Sequence, residues 1–185
     1  MDPGTAEDPV AAVLAALDGR HGTRWVGIDG KGASGKTKLA GQIAAALPGS
    51  VIVHIDDFAR PDVRGWERDR FVRQVLRPLL ADRPGRYQRW DFDRNIGAEW
   101  HVVPAGVPVL VEGVSATDMR LDVPWDFTIW VEVPYEVRLA RALERDGPER
   151  MDRWLTDWMP SEDEYEKVQR PQDRVDLVYR PQAIA

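Results

Sequence analysis

Residues 25–37 read WVGIDGKGASGKT. Trp25 to Ile28 form a short apolar strand, Asp29 ends it, and the loop Gly30-Lys31-Gly32-Ala33-Ser34-Gly35-Lys36-Thr37 follows. The loop has the spacing G-x-x-x-x-G-K-[ST], a pattern with a mechanism. Glycines let the backbone curl into a nest whose N–H groups converge on phosphate oxygens. The helix that follows adds the positive end of its dipole. Lys36 is then placed to reach the outer phosphates of a nucleoside triphosphate, and the Thr37 hydroxyl to face Mg²⁺. The reading demands a buried strand before the loop and a helix after it. TKLAGQIAAAL (37–47), rich in Ala and Leu and stopped by Pro48-Gly49, supplies the helix.

Outward from the loop, SVIVHID (50–56) and VPVLVE (107–112) are almost wholly apolar, as strands buried on both faces of a parallel sheet are. FTIWVEV (127–133) and DLVY (176–179) bring the number of strands to five. Pro9 to Asp18 reads as a short helix with Gly19 as its stop, and the polar residues 1–8 are expected to fray. Phe71, Val75, Leu76 and Leu79 recur at helical spacing within 66–80, and 135–147 is a helix closed by Gly147. Residues 148–170 read as one or two helices broken at Pro160-Ser161. YQRWDFDRN (87–95) alternates aromatic and polar residues and fits a short strand or an ordered loop. The pattern predicts an α/β fold: a five-stranded parallel sheet with helices on both faces and a small helical lid over about 138–160. A chain of 185 residues is one domain with such a lid.

A net charge of −6 argues against a general nucleic-acid binder. The arginines are unevenly placed: ten lie between Arg60 and Arg94, and Arg138, Arg141, Arg145, Arg150 and Arg153 form a second group. The absence of cysteine excludes a disulfide, a thiolate nucleophile and a Cys-ligated metal. His21, His54 and His101 have no metal-ligand spacing. No stretch has the length of a membrane span and no signal peptide opens the chain, so the expectation is a cytoplasmic protein acting on a small molecule. Neither nucleic acid nor membrane is expected as a partner, and the sequence does not set the oligomeric state.

Ligands of parallel sheets bind at the carboxyl ends of the strands. The loop, Asp56, Asp57 and Glu112 all fall at such ends. Phosphoryl transfer needs positioning, a metal, neutralising charge and a group that takes the acceptor's proton. Asp56 is the candidate base. Asp57 either binds Mg²⁺ through water or supports Asp56. Glu112 holds Mg²⁺ or its water, or contacts the acceptor. Arg138, Arg141 and Arg145, at i, i+3 and i+7, share one helical face. They clamp transferred charge if that face looks toward the phosphates, and are a solvated stripe if it does not. Trp66, Trp90 and Trp100 can stack on a planar substrate or simply wall the core. A GTPase is disfavoured because the single asparagine, Asn95, is not in an Asn-Lys-x-Asp context. A nucleotide-binding regulatory protein with an idle kinase fold is the second reading.

Together these residues resemble the uridine kinase and phosphoribulokinase-like family of P-loop kinases, over most of the chain from Trp25 to Tyr179. Asp56-Asp57-Phe58 is similar to that family's D-x-[FY], whose Asp is the catalytic base, which favours Asp56. Trp90-Asp91-Phe92 resembles the Tyr-Asp-Phe that lines its nucleoside pocket, and Val111-Glu112-Gly113 its E-G. Arg138-Leu139-Ala140-Arg141, continuing to Arg145-Asp146, is similar to its lid helix, and Asp176-Leu177-Val178 to its closing strand. The resemblance implies a P-loop NTPase fold with ATP and Mg²⁺ as cofactors. It implies catalytic roles for Lys36, Asp56, Arg138 and Arg141, and ATP binding by Gly30 through Thr37 with Arg145. Asp56, Asp57, Phe58, Trp90, Asp91, Phe92 and Glu112 would face the acceptor, and Thr37 and Glu112 the metal. Two departures stand out. Trp90 replaces the tyrosine, and the segment between Asp56 and Trp90 is short, which leaves little room for the β-hairpin that helps nucleoside kinases hold the base. A uridine- or cytidine-like nucleoside is the leading acceptor. A pantothenate- or sugar-like metabolite is the alternative, because the family carries several substrates.

Overall fold

The structure, a computed structural model, describes residues 8–181. Of the stretch expected to fray, residues 1–7 lie outside the described residues. Asp8 caps the first helix, α1 (Pro9–Leu17), by accepting the Val10 N–H at 3.0 Å. The quoted stretch forms β1 (Arg24–Gly30) and leads through the loop into α2 (Lys36–Ala46). β2 (Val51–His54) is shorter than the apolar run suggests: Ile55–Phe58 is a tight 3₁₀ turn, so Asp56 and Asp57 ride on a turn beyond the strand.

The helix expected over 66–80 runs from 68 to 80, α3, with a π-helical turn at Val72–Leu76 just before Pro78. The wider turn accommodates a residue with no N–H to give and a ring that crowds the preceding carbonyl. Next come β3 (Gly85–Asp91) and β4 (Ile96–Val103), an antiparallel pair turning at Asn95, whose φ is 51°. The expectation of little room for a hairpin is therefore wrong. The hairpin's first strand occupies the end of the short segment, carries Trp90, and pairs with a second strand beyond it.

β5 (Pro108–Glu112) and β6 (Phe127–Val131) are both buried strands. α4 (Tyr135–Asp146) follows, closed at Gly147. The break expected at Pro160-Ser161 is absent. Residues 151–169 form one continuous helix, α5, which again meets its proline just after a π turn, Trp154–Trp158. β7 (Leu177–Tyr179) completes the sheet.

The sheet has the order β2-β5-β1-β6-β7, with every neighbouring pair parallel. Alternate residues feed two cores. Val26, Ile28, Leu110 and Ile129 pack with α1 and α2, while Trp25, Val53, Val109 and Val111 pack with α3 and Tyr87 of β3. This order decides where chemistry can occur. β1 lies at the centre and carries the loop, and the register sets Glu112 between Ile28 on one side and His54 on the other. Among the described residues no helix is long and apolar enough to cross a membrane.

Candidate functional site

Gly35 enters α2 at φ 95°, a conformation glycine adopts freely, and Ala33 is held at φ 60°. A left-handed non-glycine residue costs energy and persists only where its surroundings fix it. Here the result is a loop whose backbone turns inward. Lys36 is buried and donates to the Lys31 carbonyl at 2.9 Å, and the Ser34 hydroxyl is buried without a partner.

The loop opens on a cleft of about 2050 Å³ along the carboxyl edge of the sheet. Pockets for one small ligand are roughly 300–1,000 Å³, so this one has room for two substrates side by side. Gly32 through Thr37, Asp56, Asp57, Trp90, Asp91, Phe92, Glu112, Arg141 and Arg145 all line it. Sequence positions more than a hundred residues apart thus meet at one edge.

Glu112, 5% exposed, accepts the Thr37 hydroxyl at 3.1 Å and pairs with His54 Nδ1 at 2.5 Å, both through Oε1. Two hard oxygen donors beside a phosphate loop fit Mg²⁺, which is usually held by one or two carboxylates together with substrate phosphates. Among the described residues no group of three or more His, Cys, Asp or Glu side chains could hold a metal alone. His54 was not singled out in the sequence, because it is one polar residue in an apolar strand. Its hydrogen bond to Glu112 raises its pKa against the opposing effect of burial, and the charges of Asp57 and Asp56 add to the rise.

The two aspartates of the 3₁₀ turn differ in surroundings. Asp57 is buried and accepts the Tyr87 hydroxyl at 2.9 Å, while its backbone carbonyl takes Arg70 at 2.9 Å. It ties the turn to the hairpin. Asp56 presents its carboxylate to the open cleft with protein packed around it. This crowding raises its pKa, as does Glu112, while Lys36, His54 and Arg145 pull the other way through charge.

Several expected site residues are elsewhere, and others line the cleft but are engaged by neighbours. Phe58 is fully buried in the core against Phe71, Trp66 and Tyr87. Gly30 packs under Val131 and does not line the cleft. The Lys31 side chain turns away to Asp163 and Glu166, both at 2.6 Å. Arg138 is 2% exposed beneath the loop and pairs with Glu162, so it is not a clamp on substrate. Arg145 lies at the cleft, but its guanidinium is bidentate on Asp146 at 2.7 and 2.9 Å. Trp90 donates to Asn95 at 3.0 Å and carries the Arg60 guanidinium 4.2 Å over its ring. Asp91 caps the hairpin turn by accepting the Arg94 N–H at 3.0 Å. Phe92 meets Arg153 of the lid at 4.7 Å. Trp66 donates to Ser115 in the core and Trp100 is half exposed on the outside of the hairpin.

Asp29 was read only as the end of a strand. It is fully buried and accepts from Gly30, Ser115 and Thr117 backbone N–H groups and from the Thr117 and Tyr165 hydroxyls. It joins the start of the loop to the segment after β5 and to α5.

A parallel sheet of this order, with a glycine loop leaving its central strand and helices beyond its fourth strand, is the fold of the P-loop kinases. No family model matches the chain. A curated relative, the uridine kinase of Halobacterium salinarum, is 26% identical over 167 residues, which cover 76% of this chain and 73% of that protein. A Bacillus stearothermophilus structure provisionally named a uridine kinase aligns with a TM-score of 0.69 at 19% identity, over 92% of this chain and 94% of that one. A Silicibacter sp. TM1040 structure provisionally named a fructose transport system kinase aligns with a TM-score of 0.70 at 21% identity, over 94% and 100%. The two structural likenesses are of fold. The motif resemblance to the uridine kinase and phosphoribulokinase-like family fits all three.

Proposed function

We propose that the protein transfers the γ-phosphoryl group of ATP to a hydroxyl of a small acceptor, with a uridine- or cytidine-like nucleoside as the leading acceptor. One observation carries this reading: the loop with Lys36, the Thr37–Glu112 pair and the unbonded carboxylate of Asp56 all line one cleft. The loop N–H groups and Lys36 would hold the triphosphate and neutralise charge as the phosphoryl group moves. Thr37 and Glu112 would hold Mg²⁺, which when bound supplies further neutralisation of the phosphate oxygens. Asp56 orients the acceptor hydroxyl and takes its proton. A carboxylate whose pKa is raised toward neutrality is a better general base than an ordinary one, provided it stays ionised at the working pH. Arg141 is half-buried at the cleft wall, and its one contact with the loop is a long one to the Ala33 carbonyl, 3.5 Å. Of the three arginines on the α4 face, it has donors free to meet phosphate oxygens.

The hairpin supports a nucleoside, since it supplies the wall that the short segment is expected to lack. A second reading, a sugar-like acceptor, is favoured by Arg60. It covers one face of Trp90, so a base could stack only on the other face or by displacing it. The likeness to the Silicibacter kinase points the same way.

The test is a coupled ADP-release assay with Mg-ATP across nucleosides, sugars and other hydroxyl compounds. Turnover on uridine or cytidine is expected, with Trp90→Ala raising KM for that acceptor by roughly tenfold and leaving KM for ATP alone. Turnover only on a non-nucleoside discards the nucleoside and keeps the kinase. Failure of the wild type to bind Mg-ATP discards both.

A further inference from the structure

We infer that the buried pair Glu162–Arg138 is a positioning device for the phosphate loop, holding the Gly32 peptide in place from α4 and α5. The inference rests on the loop being a triphosphate site. Glu162 and Arg138 are 5% and 2% exposed and pair at 3.1 Å. Arg138 donates to the Gly32 carbonyl at 3.4 Å, and the Glu162 carboxylate lies against the Gly32 backbone. The loop runs so close to α5 that a Cβ on Gly32 would come within 2.6 Å of Glu162 Oε1 and 2.7 Å of Trp154. One residue along, Lys31 is held by Asp163 and Glu166 of the same helix.

A buried ion pair is seldom retained for stability alone, because apolar residues of similar volume often serve as well or better. What an apolar pair cannot do is fix the direction of a peptide N–H and C=O. The loop needs that, because its next residue, Ala33, is held in the left-handed region at φ 60°. If Gly32 were free to rotate, the N–H groups of residues 33–37 would no longer converge on one point. Glu162 and Arg138 therefore act on the nucleotide through the loop, and neither needs to touch it.

Stability and nucleotide affinity separate this role from ordinary packing. Thermal unfolding and calorimetric titration with Mg-ATP are measured for wild type, Glu162→Gln, Glu162→Leu and the double variant Arg138→Met/Glu162→Leu. Glu162→Leu strands a buried guanidinium and should lower both Tm and affinity. The double variant removes both charges, so it should recover most of the Tm while Mg-ATP affinity stays about tenfold or more below wild type. Recovery of affinity together with Tm would make the pair merely structural and overturn the inference. Glu162→Gln keeps the shape beside Gly32 but removes the charge that pairs with Arg138, and it decides the matter if the leucine variants do not fold. Its expected loss of affinity is roughly three- to tenfold, and a loss below about twofold refutes the role. Wild type that fails to bind Mg-ATP would sink the kinase reading itself. Wild type that binds, with variants that bind equally well, would sink only the pair's role.

Discussion

Neighbouring aspartates with opposite surroundings predict opposite phenotypes. Asp56→Asn keeps the side-chain shape and removes the proton acceptor, so kcat should fall roughly 10²- to 10⁴-fold, about 3–5 kcal/mol of transition-state stabilisation. ATP affinity should hardly change. Stability has a definite sign: crowding raises the pKa of Asp56 in the folded protein, so its ionised form opposes folding at neutral pH. Its replacement should leave Tm unchanged or raise it. Asp57 is the reverse case. Its carboxylate is buried and holds the Tyr87 hydroxyl at 2.9 Å. A hydrogen bond to a charged group contributes about 1.5–3 kcal/mol, so Tyr87→Phe and Asp57→Asn should each cost about 2 kcal/mol. For a domain of this size that lowers Tm by about 4–8 °C. The assays are differential scanning calorimetry and initial rates with whichever acceptor turns over. An active Asp56→Asn beside an inactive Asp57→Asn of normal Tm would refute the assignment. The pH profile gives an independent check: kcat/KM should fall as pH drops through the Asp56 pKa, at a midpoint above the value near 4 of an ordinary aspartate.

Three more outcomes are expected. Arg141→Gln should lower kcat about 10- to 100-fold, since a charge-assisted contact to the moving phosphoryl group is lost, whereas Arg145→Gln should cost much less because Asp146 already holds that guanidinium; initial rates that invert the order would reverse the roles. Glu112→Gln should raise the Mg²⁺ concentration for half-maximal turnover about tenfold, and a magnesium titration identical to wild type would remove Glu112 from the metal site. Asp118, fully buried, has a depressed pKa because hydrogen bonds from Arg120, Gln169 and Arg68 outweigh its burial. Its contribution is present above the unfolded pKa near 4 and is lost as pH falls through the lower folded value, so Asp118→Asn should cost about 2 kcal/mol at pH 7 in urea unfolding, with the gap to wild type closing in acid.

What could be read in the sequence was local or strongly patterned. The loop is a fixed-spacing motif, and the central strands are apolar runs bounded by carboxylates, so fold and phosphate site were legible together. The hairpin was not. β4, IGAEWHVV, is interrupted by Gly97 and exposes Ile96, Trp100 and Val102, so it lacks the signature of a buried strand. Only its pairing with β3 makes it a strand, and pairing is not a property of one segment. Glu162 was hidden for a similar reason. It lies in the run SEDEYEK, which reads as a solvated face, and only the approach of the phosphate loop turns that position inward.

The arginines of α4 show how far periodicity can carry a functional argument. Positions 138, 141 and 145 do share a face, but seven residues of helix rise about 10 Å, comparable to the span of a triphosphate. Over that distance the face passes three environments. Arg138 lies under the loop and is consumed by Glu162 and Gly32. Arg145 is at the mouth and is consumed by Asp146, which Trp154 Nε1 also fixes at 2.8 Å. Arg141, between them, makes its one side-chain hydrogen bond among the described residues to the Ala33 carbonyl. A helical face therefore predicts which side chains are neighbours, whereas the carboxylates that compete for each guanidinium decide which one remains free for a ligand. Those competitors come from α4 itself in one case and from α5, twenty-four residues on, in the other. A reading of the helix alone offers three candidate phosphate clamps, where the folded chain leaves one of those guanidiniums uncommitted.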